Sequence, residues 1–337
     1  MSDVKKTKAQ GHAKPRSFTF DPPEAVSSSS MYMEMFETFL VGDYYEPPVK
    51  PDYLWKLTKE NPHHGSALIV KRNILTSCFK PHPLLSRKQF RDFAYDFLVM
   101  SNSYLEKVFN PFGDVIALKR SPSIRTRRMK EKGCFKFLNP LGNDHVFQKD
   151  SIIQLMATDL SQEIYGTPEY MGAIQAALLG KDATIFRRKY YINGAHAGFI
   201  LTVNDPLMSD EDVDALEEQL QNAKGPGNFK NLFIYHPNGR PDGVQLKPIA
   251  EVNAKDEFLN IKNISRDDVL AMHRVPPQMM GIIPNNTGGF GDAPKAAKVF
   301  FTNEIKPLMA IFEEINDELG IDVVQFDDYK IEGEDAA

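Results

Sequence analysis

The chain has 337 residues, of which 42% are hydrophobic, and it carries a net charge of −5 at neutral pH. This composition is typical of a globular protein with one large domain or two to three small ones, and the net acidity argues against a general affinity for nucleic acids. Two cysteines are too few for a disulfide framework, no run of 18 apolar residues predicts a membrane span, and the N-terminus has no apolar signal core.

The first half of the chain predicts an arm, two helices and a small β region. Residues 1–50 are basic at first and then rich in proline and serine, which predicts a mobile arm. Helices are predicted at Pro62–Phe79 and, after the capping box that begins at Ser86, up to Met100. Residues 104–154 alternate as strands do and contain the hairpin signal Asn110–Gly113. We expect a small antiparallel sheet or barrel with a basic run on its loops.

The stretch 150–203 organises the rest of the chain. It begins with a predicted strand, Ile152–Met156, and a polar loop that ends in Tyr165-Gly166-Thr167-Pro168. Thr167 is a candidate helix cap, and Pro168 suits a first turn. A helix of about 22 residues is predicted to follow up to Ile192, which is roughly 30 Å of helix.

One stripe of this helix has small residues in its middle, at Ala173, Ala177 and Gly180, where a neighbouring backbone could approach closely. Cations gather toward its C-terminal end, where the helix dipole favours them: Lys181, Arg187, Arg188 and Lys189. Two interpretations stay open, a helix in the core of one subunit and a helix packed against copies of itself in a ring.

An α/β insert is predicted over 194–248, with strands at Phe199–Val203, Leu232–Tyr235 and Val244–Leu246 and a helix at Ser209–Lys224. A second helical segment, Phe258–Val275, is predicted to break near Asn263, where Ser265 looks like a fresh cap, and to end at Pro276-Pro277.

A loop rich in glycine and asparagine then leads to a helix capped by Asp292, which Pro307 should kink and Gly320 should end. A last strand is predicted at Ile321–Phe326.

No motif indicates a catalytic, metal or cofactor site. Gly288-Gly289-Phe290-Gly291 lacks the Lys-Ser or Lys-Thr of a phosphate-binding loop. The histidines are scattered, without metal-ligand spacing, and they are interpreted as structural or surface residues. No nucleophile motif of the Gly-x-Ser-x-Gly kind is present. We therefore predict no enzyme activity, no cofactor and no metal.

Taken in order, these elements resemble the portal proteins of tailed bacteriophages, in particular the PBSX-like branch of contractile-tailed phages. The resemblance covers about residues 45–320. It rests on the order and spacing of four groups of residues: Tyr165–Pro168; Tyr190 with Asn193-Gly194-Ala195; His273–Pro277 with Gly281; and Ile305-Lys306-Pro307.

The resemblance implies an α+β fold with the parts that the family calls wing, stem, clip, tunnel loop and crown. The crown would be short or missing, because the chain ends at 337. The implied boundaries are a flexible arm at 1–50, a wing at 51–168, a stem helix at 169–193, a clip at 194–248, a second stem segment at 249–280, a tunnel loop at 281–293, and a wing or short crown helix, strand and acidic tail at 294–337.

The resemblance also implies a function. Portal proteins form a ring, usually of twelve subunits, at one capsid vertex, through which double-stranded DNA is packaged and ejected. The implied partners are further copies of the chain, DNA without sequence specificity, the terminase large subunit, capsid and scaffold proteins, and neck or head-completion proteins, with no membrane. The implied location is the virion, after assembly in the host cytoplasm.

The candidate site residues form three groups. Those expected to face the DNA channel are Lys181, Arg187, Arg188, Lys189, Asn285, Asn286 and Thr287. The ring-packing group is Ala173, Ala177 and Gly180, and the group expected to dock the packaging motor is Asp210, Glu211, Asp214, Glu217 and Glu218. The alternatives are another head–tail connector ring protein and an unrecognised enzyme that processes nucleic acids.

Overall fold

The computed structural model describes residues 16–19, 38–192, 199–203, 211, 214, 232–235, 244–248, 254–283 and 292–329. The chain divides into two compact units. The smaller contains Met1–Ser28 and Asp182–Lys262, and the larger contains Ser29–Lys181 and Asn263–Ala337.

The described strands and helices alternate in short groups. The strands are β1 (Arg16–Thr19), β2 (Phe39–Val41), β3 (Tyr44–Glu46), β4 (Asn102–Phe109), β5 (Val115–Ser121), β6 (Thr126–Arg128), β7 (Phe135–Phe137), β8 (His145–Val146), β9 (Ile152–Met156), β10 (Phe199–Val203), β11 (Leu232–Tyr235) and β12 (Val244–Pro248). The α-helices are α1 (Pro51–Glu60), α2 (Pro62–Cys78), α3 (Arg87–Met100), α4 (Ile174–Ile192), α5 (Ala254–Met272), α6 (Ala293–Phe300), α7 (Lys306–Glu313) and α8 (Ile315–Leu319).

The smaller unit is built on a four-stranded sheet in the order β1-β11-β10-β12. Strands β10 and β11 are parallel, whereas β1 and β12 pair antiparallel with their neighbours. A parallel pair needs a crossover connection, which fits the predicted order of strand, helix and strand. The predicted helix at 209–224 lies outside the described residues, apart from Glu211 and Asp214.

Two segments of the predicted mobile arm form β-strands in the structure. Arg16–Thr19 forms β1 and pairs with β11, so the arm supplies an edge strand to the sheet of the smaller unit. Phe39–Val41 and Tyr44–Glu46 form a hairpin in the larger unit, turned by Gly42, whose positive φ of 62° suits glycine.

The core of the larger unit is an aromatic cluster between helices distant in sequence. Phe79 stacks on Phe90 with ring centroids 4.0 Å apart. Phe312, on α7, meets Phe90, Phe93 and Phe97 edge to face, with centroids 5.2 to 5.9 Å apart. Contacts among these rings attach α7 to α3. Large buried aromatic surfaces of this kind dominate the stability of a core.

The predicted small sheet or barrel is two three-stranded antiparallel sheets, in the orders β5-β4-β9 and β6-β7-β8. The β4–β5 hairpin turns at the predicted position, around Asn110–Gly113. Part of the basic run is neutralised within the chain, since Arg120 pairs with Asp96, Arg127 with Glu46 and Lys136 with Asp43.

Two predictions for the second helical segment and the end of the chain are wrong. Helix α5 runs unbroken through Asn263, and Ser265 is buried within it at 4% exposure instead of capping a new helix. Ile321–Phe326 is not a strand but a loop with a single bridge, Phe79–Phe326, and the side chain of Asn316 holds its backbone.

Two helix boundaries differ from the predictions made from local capping and proline signals. Thr167 does not cap the helix, because its hydroxyl donates to Asp159, and Pro168 occupies the cap position before a 3-10 turn, Glu169–Ala173. The kink predicted at Pro307 is a π-helical turn, Phe301–Ile305, immediately before it. By contrast, Asp292 caps α6 through the Lys295 N–H, and Gly320 ends α8 with a positive φ of 68°, both as predicted.

Tyr165 joins strands that do not bond one another directly at this point. Its ring is 2% exposed. The Arg128 N–H on β6 donates to the Tyr165 hydroxyl at 2.9 Å, and the hydroxyl donates to the Tyr45 carbonyl on β3 at 2.6 Å. The phenol therefore stands where a direct backbone hydrogen bond between β3 and β6 would be.

Tyr165→Phe should lower the free energy of unfolding by about 1–3 kcal/mol, because it leaves an N–H and a carbonyl without their partner. Urea unfolding measures this change. The matched control is Tyr95→Phe, whose hydroxyl bonds no described residue and which should change stability by less than about 0.5 kcal/mol. Equal stability for wild type and Tyr165→Phe would contradict the bridging role.

Candidate functional site

Three of the motifs singled out in the sequence meet in the larger unit. Tyr165–Pro168 precedes α4, His273–Pro277 follows α5, and Ile305–Pro307 lies at the π-helical turn. A cavity of about 340 Å³ lies beside the second and third of these segments and the 3-10 turn that follows the first. Its lining includes Tyr170, Arg274, Glu304 and Pro307. We call this region the helix junction, because it fixes the start of α4 and the end of α5 to the rest of the larger unit.

Gly166 is enclosed at the junction by backbone and by one asparagine. The side-chain oxygen of Asn102 accepts the Gly166 N–H, and the side-chain amide of Asn102 donates to the Gly166 backbone carbonyl, each at 2.8 Å. A Cβ at Gly166 would lie 2.5 Å from the Ser101 carbonyl oxygen and 2.6 Å from two backbone atoms of Ala157. Only glycine fits there, so the entry of the chain into α4 is sterically fixed.

Two buried imidazoles join α2 to the end of α5. His64 Nδ1 lies 2.9 Å from His273 Nε2, and Tyr170 packs against both rings. His64 Nε2 has no hydrogen-bond partner among the described residues. A proton on that nitrogen would be a buried orphan donor, so His64 Nδ1–H is the donor to His273 Nε2.

Burial keeps both imidazoles neutral. Desolvation lowers the pKa of His64 to about 4. Desolvation also lowers the pKa of His273, to about 2, with further reductions from His64, Lys71 and Arg274. A proton on His273 would place a third cation beside Lys71 and Arg274.

Glu304 is the centre of an ion-pair network across the junction. Its carboxylate, on the π-helical turn, lies 2.5 Å from Lys71 Nζ on α2 and 2.5 Å from Arg274 Nε. Arg274 also pairs with Glu169 in the 3-10 turn before α4. The side chains of Lys71 and Glu304 are 7% and 6% exposed, so removing one partner would leave a buried charge uncompensated.

Arg274 adopts a left-handed backbone conformation, with a φ of 55°. This conformation is uncommon for a residue other than glycine or asparagine. The hydrogen bonds of its guanidinium to Glu304 and Glu169 raise its pKa further above the usual range. The two carboxylates therefore hold a permanent cation at the point where the chain leaves α5.

The small stripe of α4 makes its close contacts inside its own subunit. Ala173 and Ala177 are 9% and 2% exposed. The Ala177 carbonyl accepts the Asn61 amide at 2.8 Å, and a Cβ at Gly180 would lie 3.1 Å from that amide and 3.7 Å from Ser265 Cβ. This burial argues against a direct intersubunit role for Ala173 and Ala177, and the ring-packing role of the stripe stays a prediction.

The predicted channel cations differ in their surroundings. Lys181 lies 3.0 Å from Glu60 with a side chain only 17% exposed, which argues against a free phosphate contact at that position. Arg187 and Arg188 are exposed. The side chain of Lys189 and the loop residues Asn285, Asn286 and Thr287 lie outside the described residues.

The predicted motor-docking group is described at two positions, Glu211 and Asp214, which are both exposed. Asp210, Glu217 and Glu218 lie outside the described residues. Over the part of the chain that the structure describes, no group of three or more His, Cys, Asp or Glu side chains could hold a metal ion. No described helix is long and apolar enough to cross a membrane.

The residues that hold the junction together were largely missed by sequence reasoning. Lys71, Glu169, Arg274 and Glu304 are distant in sequence and have no shared spacing, so their pairing carried no signal. Only the motifs pointed to this region: Tyr165–Pro168, His273–Pro277, which contains Arg274, and Ile305–Pro307.

The junction and its two helices define a portal-type subunit, and the chain belongs to the phage portal protein family, whose family model matches residues 55–333. It is 43% identical to the probable portal protein of Escherichia phage P2 over 97% of this chain and 95% of that protein. The predicted family is confirmed, and it places the chain among portals and not among other head–tail connector proteins.

Solved structures share the fold at low sequence identity. A chain in the neck of a native gene transfer agent particle, computed with C12 symmetry, matches with a TM-score of 0.57 and 18% identity over 81% of this chain and 82% of its own. An HK97 family phage portal protein from Corynebacterium diphtheriae matches with a TM-score of 0.55 and 13% identity over 77% and 91%. The predicted portal-like α+β fold is confirmed.

Ala177→Leu should lower the free energy of unfolding of the isolated subunit by about 1–3 kcal/mol, because the larger side chain overpacks the hydrophobic core in which Ala177 is buried. Ala176→Leu is the matched control, since Ala176 is only partly buried on the same helix and should accommodate a larger side chain at lower cost. Chemical unfolding of the unassembled chain measures both. If Ala177→Leu left the subunit as stable as wild type and impaired only assembly, the intersubunit interpretation of the stripe would be favoured.

Lowering the pH from 7 to 5 should destabilise the subunit through the histidine pair. Below about pH 6.5 the unfolded chain binds protons at His64 and His273, whereas the folded pKa values of about 4 and 2 keep both rings neutral. Stability is therefore lost as the pH falls, by up to about 1.4 kcal/mol per pH unit for each histidine.

The measurement is urea unfolding at several pH values for wild type and for His64→Gln, which should show a shallower pH dependence. His82→Gln, outside the pair, is the control. Identical slopes for wild type and His64→Gln would exclude the pair as the source.

Proposed function

We propose that the chain is the subunit of a ring of twelve copies that forms the channel at one capsid vertex through which double-stranded DNA is packaged and ejected. The observation that carries this proposal is the family match over residues 55–333 together with the nearly full-length similarity to the phage P2 protein. Twelve copies are supported by the C12 symmetry of the neck in which the structurally similar chain occurs.

The two stem helices fit this role. Helices α4 and α5 each have 19 residues, which is about 28 Å of helix. The helix junction anchors one end of both helices through buried hydrogen bonds and ion pairs. A rigid mount suits a wall that DNA moves past, because the wall must keep its shape while it guides the duplex.

Arg187 and Arg188 are the described cations that best fit a channel contact. Both are exposed near the C-terminal end of α4. Phosphate contacts bind DNA without reading its sequence, and few cations in a net acidic chain would guide the duplex without holding it tightly. Lys189 and the loop residues Asn285, Asn286 and Thr287 belong to the same proposed surface.

The proposed partners follow from the same role. The terminase large subunit would dock at the clip, where Asp210, Glu211, Asp214, Glu217 and Glu218 form an acidic set. Neck proteins would replace the terminase at the clip after packaging, and capsid and scaffold proteins would surround the wing. Assembly would take place in the host cytoplasm, and the mature location would be the portal vertex of the virion. No catalytic role is proposed for the chain.

The test combines imaging with a packaging assay. Electron microscopy of the purified protein should show rings with a central hole, and Arg187→Gln with Arg188→Gln should form the same rings but yield fewer DNA-filled heads. Lys119→Gln with Lys132→Gln removes two exposed cations from the wing and is the matched control. Wild-type yields of filled heads from the Arg187 and Arg188 variant would remove these residues from the channel, and a monomer under all conditions would contradict the ring.

A further inference from the structure

The β2–β3 hairpin extends the neighbouring three-stranded sheet. Tyr44 on β3 bridges to Met129 in antiparallel orientation, and the Lys130 N–H donates to the Asp43 carbonyl at 2.9 Å. Arg127 on β6 pairs with Glu46 on β3, which fits the same register. The strands therefore form one antiparallel array in the order β2-β3-β6-β7-β8, with Tyr165 inserted between β3 and β6.

Both ends of this array are unpaired among the described strands. At one end β2 exposes three consecutive apolar residues, Phe39, Leu40 and Val41, at 47%, 42% and 37%. At the other end β8 exposes His145 and Val146, the latter at 50%. Natural sheets protect such edges with lysine, proline or a covering segment, and β2 has neither of these residues.

The outer edge of β5, in the same unit, is covered by other residues of the chain, unlike the edges of β2 and β8. On the outer side of β5, the Leu118 N–H donates to the Leu84 carbonyl at 2.7 Å and the Arg120 N–H donates to the Gln89 side chain at 2.8 Å. On this edge the chain therefore satisfies outward-facing donors with its own residues, Leu84 in a loop and Gln89 on α3.

The two open edges present matching backbone groups. The two-residue turn at Gly42 and Asp43 makes Val41 and Tyr44 a hydrogen-bonded pair, so the N–H and carbonyl of Leu40 point away from β3. On β8, the Phe147 N–H donates inward to Phe135 at 3.0 Å. By the same alternation, the N–H and carbonyl of Val146 point outward.

We infer that β2 of one subunit pairs with β8 of the next, so that the sheet continues from copy to copy around the ring. Four antiparallel steps separate β2 from β8, so the two strands run in the same direction and the new pair is parallel. In that register Leu40 lies opposite His145, and the outward Val146 N–H reaches the Leu40 carbonyl. A contact between different edges, repeated by rotation, closes a ring.

The occupant of each edge is thus a second copy of this chain, and the inference rests on the proposed ring. A head-to-tail ring needs two different surfaces on each subunit, and the opposite ends of one sheet supply them. The exposed apolar side chains of β2 would then be covered by the neighbouring wing.

The test is cysteine cross-linking in assembled rings. Leu40→Cys combined with His145→Cys should, on mild oxidation, give a ladder of covalent oligomers on a non-reducing gel, since paired strands bring Cα atoms within disulfide range. Each single variant should give no ladder, because each would have a cysteine on only one side of the contact. The native Cys78 and Cys134 are buried, and Leu40→Cys with Phe112→Cys is the control, because Phe112 is exposed but lies in the turn between β4 and β5.

A second variant tests the backbone contact. Leu40→Pro removes the outward N–H without touching a bond to β3, so the subunit should keep its melting temperature while the yield of rings falls several-fold relative to Leu40→Ala. Rings without a ladder, an equal ladder in the Phe112 control, or full ring yield from a folded Leu40→Pro subunit would overturn the inference. Absence of rings in the wild type would instead overturn the ring proposal, so the two failures are distinguished.

Discussion

The buried carboxylate of Glu304 is the contact on which the arrangement of the larger unit depends. It accepts from Lys71 on α2 and from Arg274 at the end of α5, and Arg274 also pairs with Glu169 before α4. Four segments of the chain are therefore fixed by one network of charges, in which Lys71 and Glu304 are buried and Arg274 and Glu169 are more than half exposed. The buried Lys71–Glu304 pair is costly to break, because the loss of either partner leaves a buried charge uncompensated.

Steric constraints act beside these charges. Gly166 admits no Cβ, and Ala177 with Gly180 lets Asn61 and Ser265 approach α4 closely. Small residues therefore fix the position of α4 within its own subunit. For a portal subunit this is a mechanical requirement, since the helices that would line the channel must keep their angle while DNA passes.

The larger unit combines an aromatic core with a strand array whose end strands, β2 and β8, are unpaired among the described strands. The aromatic rings around Phe312 close the helical side, whereas β2 and β8 leave backbone groups and apolar side chains exposed. In a single soluble subunit such edges would be a liability. In the proposed ring these edges would be covered where neighbouring subunits join, which would link the fold of one chain to its assembly.

The sequence by itself determined the elements whose signals are local. The hairpin at Asn110–Gly113, the helices of the wing, the caps at Asp292 and Gly320 and the strands of the insert follow from periodicity, capping and turn chemistry, and the order of motifs identified the family. Tertiary contacts decided the rest. Thr167 bonds Asp159 instead of capping a helix, Ser265 is buried mid-helix, and the Glu304 network joins residues more than 200 positions apart, because hydrogen bonds and ion pairs between distant segments leave no periodic trace in a sequence.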